Sequence, residues 1–318
     1  MDGLLIVDKP SGPTSHDIVA RVRRVLHERR VGHTGTLDPM ASGVLPLVVG
    51  RATRLARFLS GDKAYIATVR LGRTTDTYDA LGRPTGTAFD GPWPSSKEID
   101  AALARFRGTF EQQPPAYSAK KIAGRRSYAI ARRSAAVAGP DEPPDDQPRS
   151  FPAPVRVTAH AIDLMDVAGD LVTLRVRCSA GFYVRSLAFD LGSLLGTGAH
   201  LAALQRVEAC GATLDQAISL DRIQSEGGRE ATESALIPME RMLWTLPSVA
   251  LNEAGVAHVR FGRNLGPADA SAGFVEAVSE SGSPAGRPIR LLDPAGQLVA
   301  VAEAADVPGL LHAAVVLV

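Results

Sequence analysis

Residues 32–47 restrict the fold of this chain more than any other stretch. They read Gly-His-Thr-Gly-Thr-Leu-Asp-Pro-Met-Ala-Ser-Gly-Val-Leu-Pro-Leu, which is too rich in glycine and proline for a regular helix or strand. Pro39 biases Asp38 away from the α region. Apart from His33, Asp38 is the one ionisable residue of the stretch. We therefore expect an irregular loop that presents a single carboxylate.

Local chemistry alone leaves two interpretations of Asp38 open. An aspartate before a proline often caps a helix or closes an Asx turn, and such residues greatly outnumber catalytic ones. A lone carboxylate in a mostly apolar, turn-rich loop is also typical of an active site. The residues by themselves favour the turn, so a catalytic role needs further support.

Length and composition bound the class of protein. The 318 residues exceed one ordinary domain, and a hydrophobic content of 45% allows a normal core. No apolar run is long enough to span a membrane, and Asp2 and Asp8 argue against a signal peptide, so we expect a cytoplasmic protein. Cys178 and Cys210 lie far apart, which favours buried free thiols over a zinc site or a disulfide framework.

The net charge of +1 conceals an asymmetry along the chain. Through Arg133 there are 22 Lys plus Arg against 12 Asp plus Glu, and from Ser134 onward there are 13 against 22. A basic front half suggests that this half binds a polyanion. Of the 35 basic residues 30 are arginine, which suits bidentate phosphate contact and stacking on bases.

Hydrophobic periodicity and capping signals predict the elements around the loop. Thr14 or Ser15 is the expected N-cap of a helix, and Ser95 with Glu98 forms a capping box before another. The patterns also predict strands at 4–7, 62–71, 155–164, 171–178, 288–292, 298–302 and 313–318, a short helix at 52–59 and a helix that follows Arg185 and runs through Leu195.

The stretch around Asp38 resembles the catalytic loop of the TruB family of tRNA pseudouridine synthases. The resemblance covers roughly residues 3–137 and 155–246. It is carried by four motifs in the family's order, around Asp38, Tyr65, Pro114 to Lys120, and Arg185. The fold it implies is α+β, a pseudouridine synthase fold with a central mixed, mostly antiparallel sheet flanked by helices.

The resemblance also implies roles for single residues. Asp38 would be the catalytic residue, and Arg185 would pair with it. Tyr65 would stack on the target base and is the leading candidate for the final proton abstraction. His33 would contact the RNA and fill the space left by a flipped uridine. The other two substrate-contacting residues near the site would be Lys9 and Leu204.

A basic block from Arg105 to Arg133 holds eight basic residues and one acid, with tyrosines interleaved. Such a run is usually a solvated face. In the family this region is a thumb-like loop that orders on RNA, where cations bind phosphates and rings stack on bases. The candidate RNA contacts are Tyr117, Lys120, Lys121, Arg125 and Arg126. The Pro-rich acidic segment 138–150 is predicted to be a disordered insertion.

These arguments predict a catalytic domain at 1–245 and a small β domain at 246–318, which by position resembles the PUA-like domain of bacterial family members. The implied reaction converts a uridine of the tRNA T-loop, position 55, to pseudouridine. It needs no metal or redox group, and the sequence carries no phosphate loop, metal-ligand cluster or dinucleotide fingerprint. We expect no cofactor, the tRNA T-stem-loop as partner, no membrane, no obligate protein partner and a monomer.

Two other functions fit the same scaffold. One is a non-catalytic RNA-binding or RNA-folding protein, against which the intact set of Asp38, Tyr65 and Arg185 counts. The other is a subunit of a guide-RNA-dependent synthase complex, as in archaeal and eukaryotic relatives. The thumb-like block favours the stand-alone bacterial type, because those relatives use partner proteins instead.

Overall fold

The computed structural model describes residues 1–59, 61–116, 121–122, 125–126, 152–275, 277 and 287–318. The helices of these ranges are α1 (Ser15–Leu26), α2 (Ser96–Leu103), α3 (Val184–Leu194), α4 (Leu220–Gln224), α5 (Gly228–Ser234) and α6 (Glu253–Arg260). Short 3₁₀ turns lie at Ala104–Phe106, Leu214–Gln216, Met239–Arg241 and Pro267–Asp269, and a longer 3₁₀ helix spans Gly50–Phe58.

The strands are, in chain order, β1 (Gly3–Lys9), β2 (Val31–His33), β3 (Ser42–Val49), β4 (Lys63–Leu71), β5 (Thr74–Thr75), β6 (Pro84–Thr85), β7 (Gly108–Gln112), β8 (Lys121–Ile122), β9 (Arg125–Arg126), β10 (Val155–Ala168), β11 (Leu171–Cys178), β12 (Ala199–Ala209), β13 (Ala212–Thr213), β14 (Ile218–Ser219), β15 (Ile237–Pro238), β16 (Ser248–Leu251), β17 (Ala270–Ala272), β18 (Ile289–Leu292), β19 (Leu298–Ala304) and β20 (Leu311–Val316).

A large mixed sheet forms the body of the molecule. Its described strands run in the order β14-β1-β3-β12-β4-β11-β10-β7, with β2, β13 and β15 paired at its side. The β1–β14 and β3–β12 pairs are parallel, and the other pairs are antiparallel. The predicted α+β class with a mixed, mostly antiparallel sheet is confirmed.

Strands β1 and β3 are buried on both faces, which explains their unbroken apolar sequences. On one face Leu5 and Leu45 join the core that holds α1. On the other face Leu4 and Val44 pack with residues of the C-terminal sheet, Val315 among them. A single cluster of side chains therefore belongs both to the large sheet and to the C-terminal unit.

The C-terminal unit is a separate five-stranded sheet in the order β17-β16-β18-β19-β20, with α6 packed against it. The predicted strands of this region are present, with β20 at 311–316 rather than 313–318. Its resemblance to a PUA-like domain stays a prediction. No helix in the part of the chain that the structure describes is long and apolar enough to cross a membrane.

The segment predicted as a short helix at 52–59 is a 3₁₀ helix over Gly50–Phe58. Because a 3₁₀ helix repeats every three residues, its arginines at positions 51, 54 and 57 lie in one row. Arg51 Nη1 donates to the Leu317 carbonyl at 2.8 Å, Arg54 donates to Val316, and Arg57 Nη2 donates to Ala314 at 3.3 Å. This arginine row binds carbonyls along and just beyond β20 and fixes the C-terminal sheet to the large one.

The parallel contact between β3 and β12 depends on Gly43, which pairs with Arg206. The Gly43 φ of +99° lies in the region that favours glycine, and an added Cβ would overlap the Arg206 backbone carbonyl. This close approach brings β12 against the end of the Asp38 loop.

Replacing Gly43 by alanine should therefore destabilise the fold strongly. We expect Gly43→Ala to lower the free energy of unfolding by about 3 kcal/mol or more, because strain at positive φ is combined with a backbone clash. The measurement is denaturant unfolding followed by circular dichroism.

The matched control is Gly108→Ala, since Gly108 has a φ of +90° but nothing within 4 Å of an added Cβ. Its loss should be limited to about 1–2 kcal/mol. Equal losses in the two variants would show that the approach of β3 to β12 does not require glycine.

Candidate active site

The loop that carries Asp38 lies between β2 and β3, and the carbonyls at 35–41 all accept hydrogen bonds. Some donors are backbone amides, such as Gly12, whose N–H donates to Pro39 at 2.8 Å. Ser15, in the first turn of α1, donates its hydroxyl to the Leu37 carbonyl and accepts from the Leu37 N–H. An irregular loop with its polar backbone satisfied in this way is held in one conformation.

Arg206 on β12 binds the loop from the sheet side. It is 1% exposed, and its Nε donates to the Val44 carbonyl at 2.7 Å. Its Nη2 and Nη1 donate to Gly35 and Thr36 at 3.1 and 3.4 Å. The planar fork of one guanidinium therefore spans three carbonyls, a task that lysine could not perform.

Lys9 binds the loop from the end of β1. It is 0% exposed, and its Nζ donates to the carbonyls of Ala41, Pro10 and Pro39 at 2.6, 2.9 and 3.3 Å. Burial lowers the pKa of Lys9 to about 8, although the negative charge of Asp38 works against this shift. In this structure Lys9 holds the loop, and a direct contact with RNA stays a prediction.

Asp38 pairs with Arg185, which lies in the first turn of α3. Arg185 Nε is 2.8 Å from Asp38 Oδ2, and Arg185 Nη2 donates to Oδ1 at 3.3 Å. The other side of the guanidinium, Nη1, donates to the Thr77 carbonyl at 3.0 Å and lies 3.7 Å from Asp79 Oδ2. The Arg185 side chain is 7% exposed and that of Asp38 34%, so the carboxylate faces the cleft while its partner is buried.

Asp79 is a residue whose part in the site the sequence did not reveal. The run 71–79 is rich in hydroxyls and carboxylates, which is typical of a turn, and Asp79 does accept hydrogen bonds from the Thr77 hydroxyl and the Leu81 N–H. Its second oxygen, however, faces Arg185. Two carboxylates on opposite sides of the guanidinium offset the unfavourable position of a cation at a helix N-terminus.

The start of α3 is held in place by Gln112, which is 1% exposed. Its side-chain amide donates to the Tyr183 carbonyl at 3.0 Å and accepts from the Tyr183 N–H at 2.8 Å. Next to it, the Ser186 hydroxyl donates to the Gln113 carbonyl at 2.7 Å. Gln112 and Gln113, which lie within the basic block, therefore determine where Arg185 points.

Asp38, Tyr65, Arg185 and Leu204 line one cleft of about 260 Å³, just below the usual range for ligand pockets. The remaining lining residues are Gly35, Thr36, Leu37, Lys63, Gly181, Phe182, Tyr183, Val184 and Arg206. The space suits one planar base between walls that are partly apolar and partly charged.

Tyr65 lies on β4 and is 7% exposed. Burial raises the pKa of Tyr65 to about 12, and the neighbouring Arg206 only partly counters this. The hydroxyl is therefore protonated at neutral pH. As a base, it would have to pass on its own proton in the same step.

The remaining predicted contacts are placed as follows. His33 ends β2 at the entry to the loop and is not among the residues that line the cleft. Lys121, Arg125 and Arg126 belong to the small β8–β9 hairpin. Tyr117, Lys120, segment 138–150 and residues 127–133 of the basic block lie outside the described residues. Within the described ranges, no group of three or more His, Cys, Asp or Glu side chains could hold a metal ion.

Comparison with known proteins adds to this geometry. The model of the TruB family pseudouridylate synthase N-terminal domain matches residues 23–184, and that of the tRNA pseudouridylate synthase B C-terminal domain matches residues 185–244. A tRNA pseudouridine synthase B from Solibacter usitatus is 40% identical over 318 residues, which is 100% of both chains. One from Cupriavidus pinatubonensis is 41% identical over 272 residues, covering 83% of this chain and 80% of the relative.

Among solved structures, a chain in the crystal structure of a Cbf5-Nop10-Gar1 complex superimposes with a TM-score of 0.70 and 26% identity. The match covers 99% of this chain and 85% of that chain. The likeness therefore extends beyond the two family models, which end before β16.

The anchoring role of Lys9 predicts a pH-dependent stability. Lys9→Met keeps an unbranched side chain but removes the donor to the Ala41 and Pro10 carbonyls, whereas Pro39 keeps the Gly12 N–H. Each unsatisfied group costs about 1–3 kcal/mol. The pKa of Lys9 is about 8 in the folded chain and 10.5 ordinarily, so the unfolded chain binds more protons between these values. The native chain therefore gains stability from this group as the pH rises from 8 to 10.5.

Denaturant unfolding of the native chain and of Lys9→Met at about pH 7 and about pH 10 measures this effect. The unfolding free energy of the native chain minus that of Lys9→Met should be smaller at the lower pH and larger at the higher one. Tyr65 and Cys178, whose pKa values are also shifted, are common to both chains and cancel. A difference that does not change with pH would exclude a buried, charged Lys9 at the loop.

Proposed function

The chain belongs to the TruB family of pseudouridylate synthases, and we propose that it isomerises the uridine at position 55, in the T-loop of tRNA, with Asp38 as the catalytic residue. It is a tRNA pseudouridine synthase, an isomerase. The observation that carries the finer proposal is the carboxylate of Asp38, held by buried Arg185 at the wall of a cleft with room for one base.

The reaction breaks the C–N glycosidic bond, turns the uracil and joins its C5 to the sugar. The C5 proton is lost and N1 gains one, so substrate and product are isomers. The uridine must first leave the folded T-loop, which costs a few kcal/mol of unstacking. His33, at the entry to the loop, is our candidate for filling the space that the base vacates.

Asp38 acts either as a nucleophile on the sugar or as the base that opens a glycal route. Both need an ionised carboxylate with a fixed direction. Arg185 supplies this through two contacts with Asp38, and Asp79 with the Thr77 carbonyl keeps the guanidinium from turning. We infer that Arg185 and Asp79 position Asp38.

Tyr65 is proposed to stack on the flipped base. Tyr65 lines the same cleft as Asp38, and the neighbouring Arg206 guanidinium affects the ionisation of its hydroxyl. It is also our candidate for the group that removes the C5 proton. Because the pKa of Tyr65 is raised to about 12, the residue would not act as a free phenolate. Its hydroxyl would instead give up its own proton as it accepts the C5 proton.

The stand-alone form is preferred over a guide-RNA-dependent subunit. The curated relatives named tRNA pseudouridine synthase B are about 40% identical over most or all of the chain, against 26% for the chain from the Cbf5-Nop10-Gar1 complex. A monomer in the cytoplasm, with tRNA as substrate and no obligate protein partner, is part of this proposal. The intact Asp38–Arg185 pair argues against a solely RNA-folding protein.

Asp38→Asn tests the catalytic assignment. We expect single-turnover pseudouridine formation on an unmodified tRNA transcript to fall by at least about a thousandfold, because the amide cannot act as nucleophile or base. RNA binding should be retained. The readout is site-by-site detection of pseudouridine together with a filter-binding titration.

Asp90→Asn is the matched control, since Asp90 is an exposed carboxylate that does not line the cleft. It should modify the same T-loop uridine at the native rate. If the native chain binds tRNA but forms no pseudouridine at position 55, the proposal fails and the RNA-folding alternative gains.

Tyr65→Phe separates stacking from proton transfer. The variant keeps the ring, so binding should stay near the native level. The single-turnover rate should fall by about 10²–10⁴-fold if the hydroxyl moves the proton. Tyr78→Phe, at a tyrosine that stacks on Phe189 away from the cleft lining, is the control. A native rate in Tyr65→Phe would assign proton removal to another group.

A further inference from the structure

The side chains that line the cleft carry more positive than negative charge. The cations are Lys63, Arg185 and Arg206, and the carboxylate is Asp38. A partly buried excess of positive charge is costly unless an anion balances it. The cleft therefore has the electrostatics of a site that receives a negatively charged group as well as a neutral base.

Two of the three cations are already engaged. Arg185 contacts Asp38, Asp79 and the Thr77 carbonyl. Arg206 donates to the Gly35 and Thr36 carbonyls of the Asp38 loop and to the Val44 carbonyl of β3. Each holds part of the protein in place, so neither is available to an incoming anion without breaking the site.

Lys63, the first residue of β4, is engaged far less. Among the described residues, its ammonium makes one hydrogen bond, a long one of 3.4 Å to the Gly61 carbonyl. The neighbouring Asp62 is directed to His160, whose Nε2 lies 3.1 Å from its Oδ1. Burial lowers the pKa of Lys63, and the positive charge of Arg206 adds to this effect.

Gly35 opens the space between Lys63 and the loop. A Cβ on Gly35 would lie 3.5 Å from Lys63 Cε and 3.6 Å from Arg206 Nη1. The missing side chain therefore leaves a gap bordered by both cations, on the same cleft as Asp38. A ligand group placed there would meet positive charge from two directions.

We propose that Lys63 binds a phosphate that flanks the target uridine and so fixes the flipped nucleotide over Asp38. The inference rests on the proposed function and adds a residue to it. A phosphate fits better than a uracil carbonyl because it supplies the missing negative charge, and the compact ammonium of lysine is well suited to bind it as a point charge.

Lys63→Met tests this by removing the charge while keeping an unbranched side chain. The RNA affinity of a synthetic T-stem-loop hairpin should fall about tenfold, and the slope of log affinity against log salt should decrease by about 0.7, as expected for one lost phosphate contact. Lys63→Arg should keep the native slope. The control is Lys97→Met, at an exposed lysine of α2 that does not line the cleft.

A second arm uses hairpins in which one phosphate, either 5′ or 3′ of the target uridine, is replaced by a neutral methylphosphonate. The native chain should lose about tenfold in affinity for one of the two hairpins. Lys63→Met should lose nothing further on that hairpin, because the pair is already broken. This arm does not depend on Lys63→Arg, and its first comparison uses the native chain alone.

An unchanged salt slope in Lys63→Met, or equal and independent losses from the variant and both neutral linkages, would overturn the phosphate contact. Pseudouridine formation by the native chain on the unmodified hairpin is measured alongside. If that activity is present, a negative result concerns Lys63 alone. If it is absent, the proposed function has failed first.

Discussion

The site depends on one irregular loop, whose backbone carbonyls accept hydrogen bonds from two buried cations. Lys9 reaches the loop at 34–41 from β1 and Arg206 from β12, the strands on either side of β3. Both donate to carbonyl oxygens rather than to carboxylates. Burying two charges is costly, and the carbonyl dipoles together with the satisfied donors compensate for it. The single acid of the loop, Asp38, is thereby left to pair with Arg185 and face the cleft.

Arg185 links parts of the chain that are far apart in sequence. Gln112 holds the start of α3, Asp79 and Thr77 hold one side of the guanidinium, and Asp38 takes the other. All of these segments meet at the large sheet, where β4 lies between β12 and β11. Segments that are separate along the sequence thus meet around a single guanidinium.

Patterns that depend on near neighbours were predicted well. The α1 helix starts with the Thr14 capping box, and the alternating strands β10 and β11 fold as their sequences indicate. Contacts that span the chain were not predictable in this way. Arg206 alternates along β12 like any strand residue, and its spacing of two from Leu204 was the one signal that it faces the cleft. The arginines at 51, 54 and 57 recur every three residues. This spacing matches the three residues per turn of the observed 3₁₀ helix, a type that the prediction of a short helix at 52–59 did not specify.

The arginine row also bears on the order in which the molecule is completed. A ribosome makes β1 and β3 early, and β20 only after the rest of the large sheet. Until β20 arrives, the face of Leu4 and Val44 lacks the cover that Val315 provides, and the arginines lack their carbonyl acceptors. The nascent chain therefore exposes an apolar surface beside a cationic one through most of its synthesis, a state that favours association with other chains.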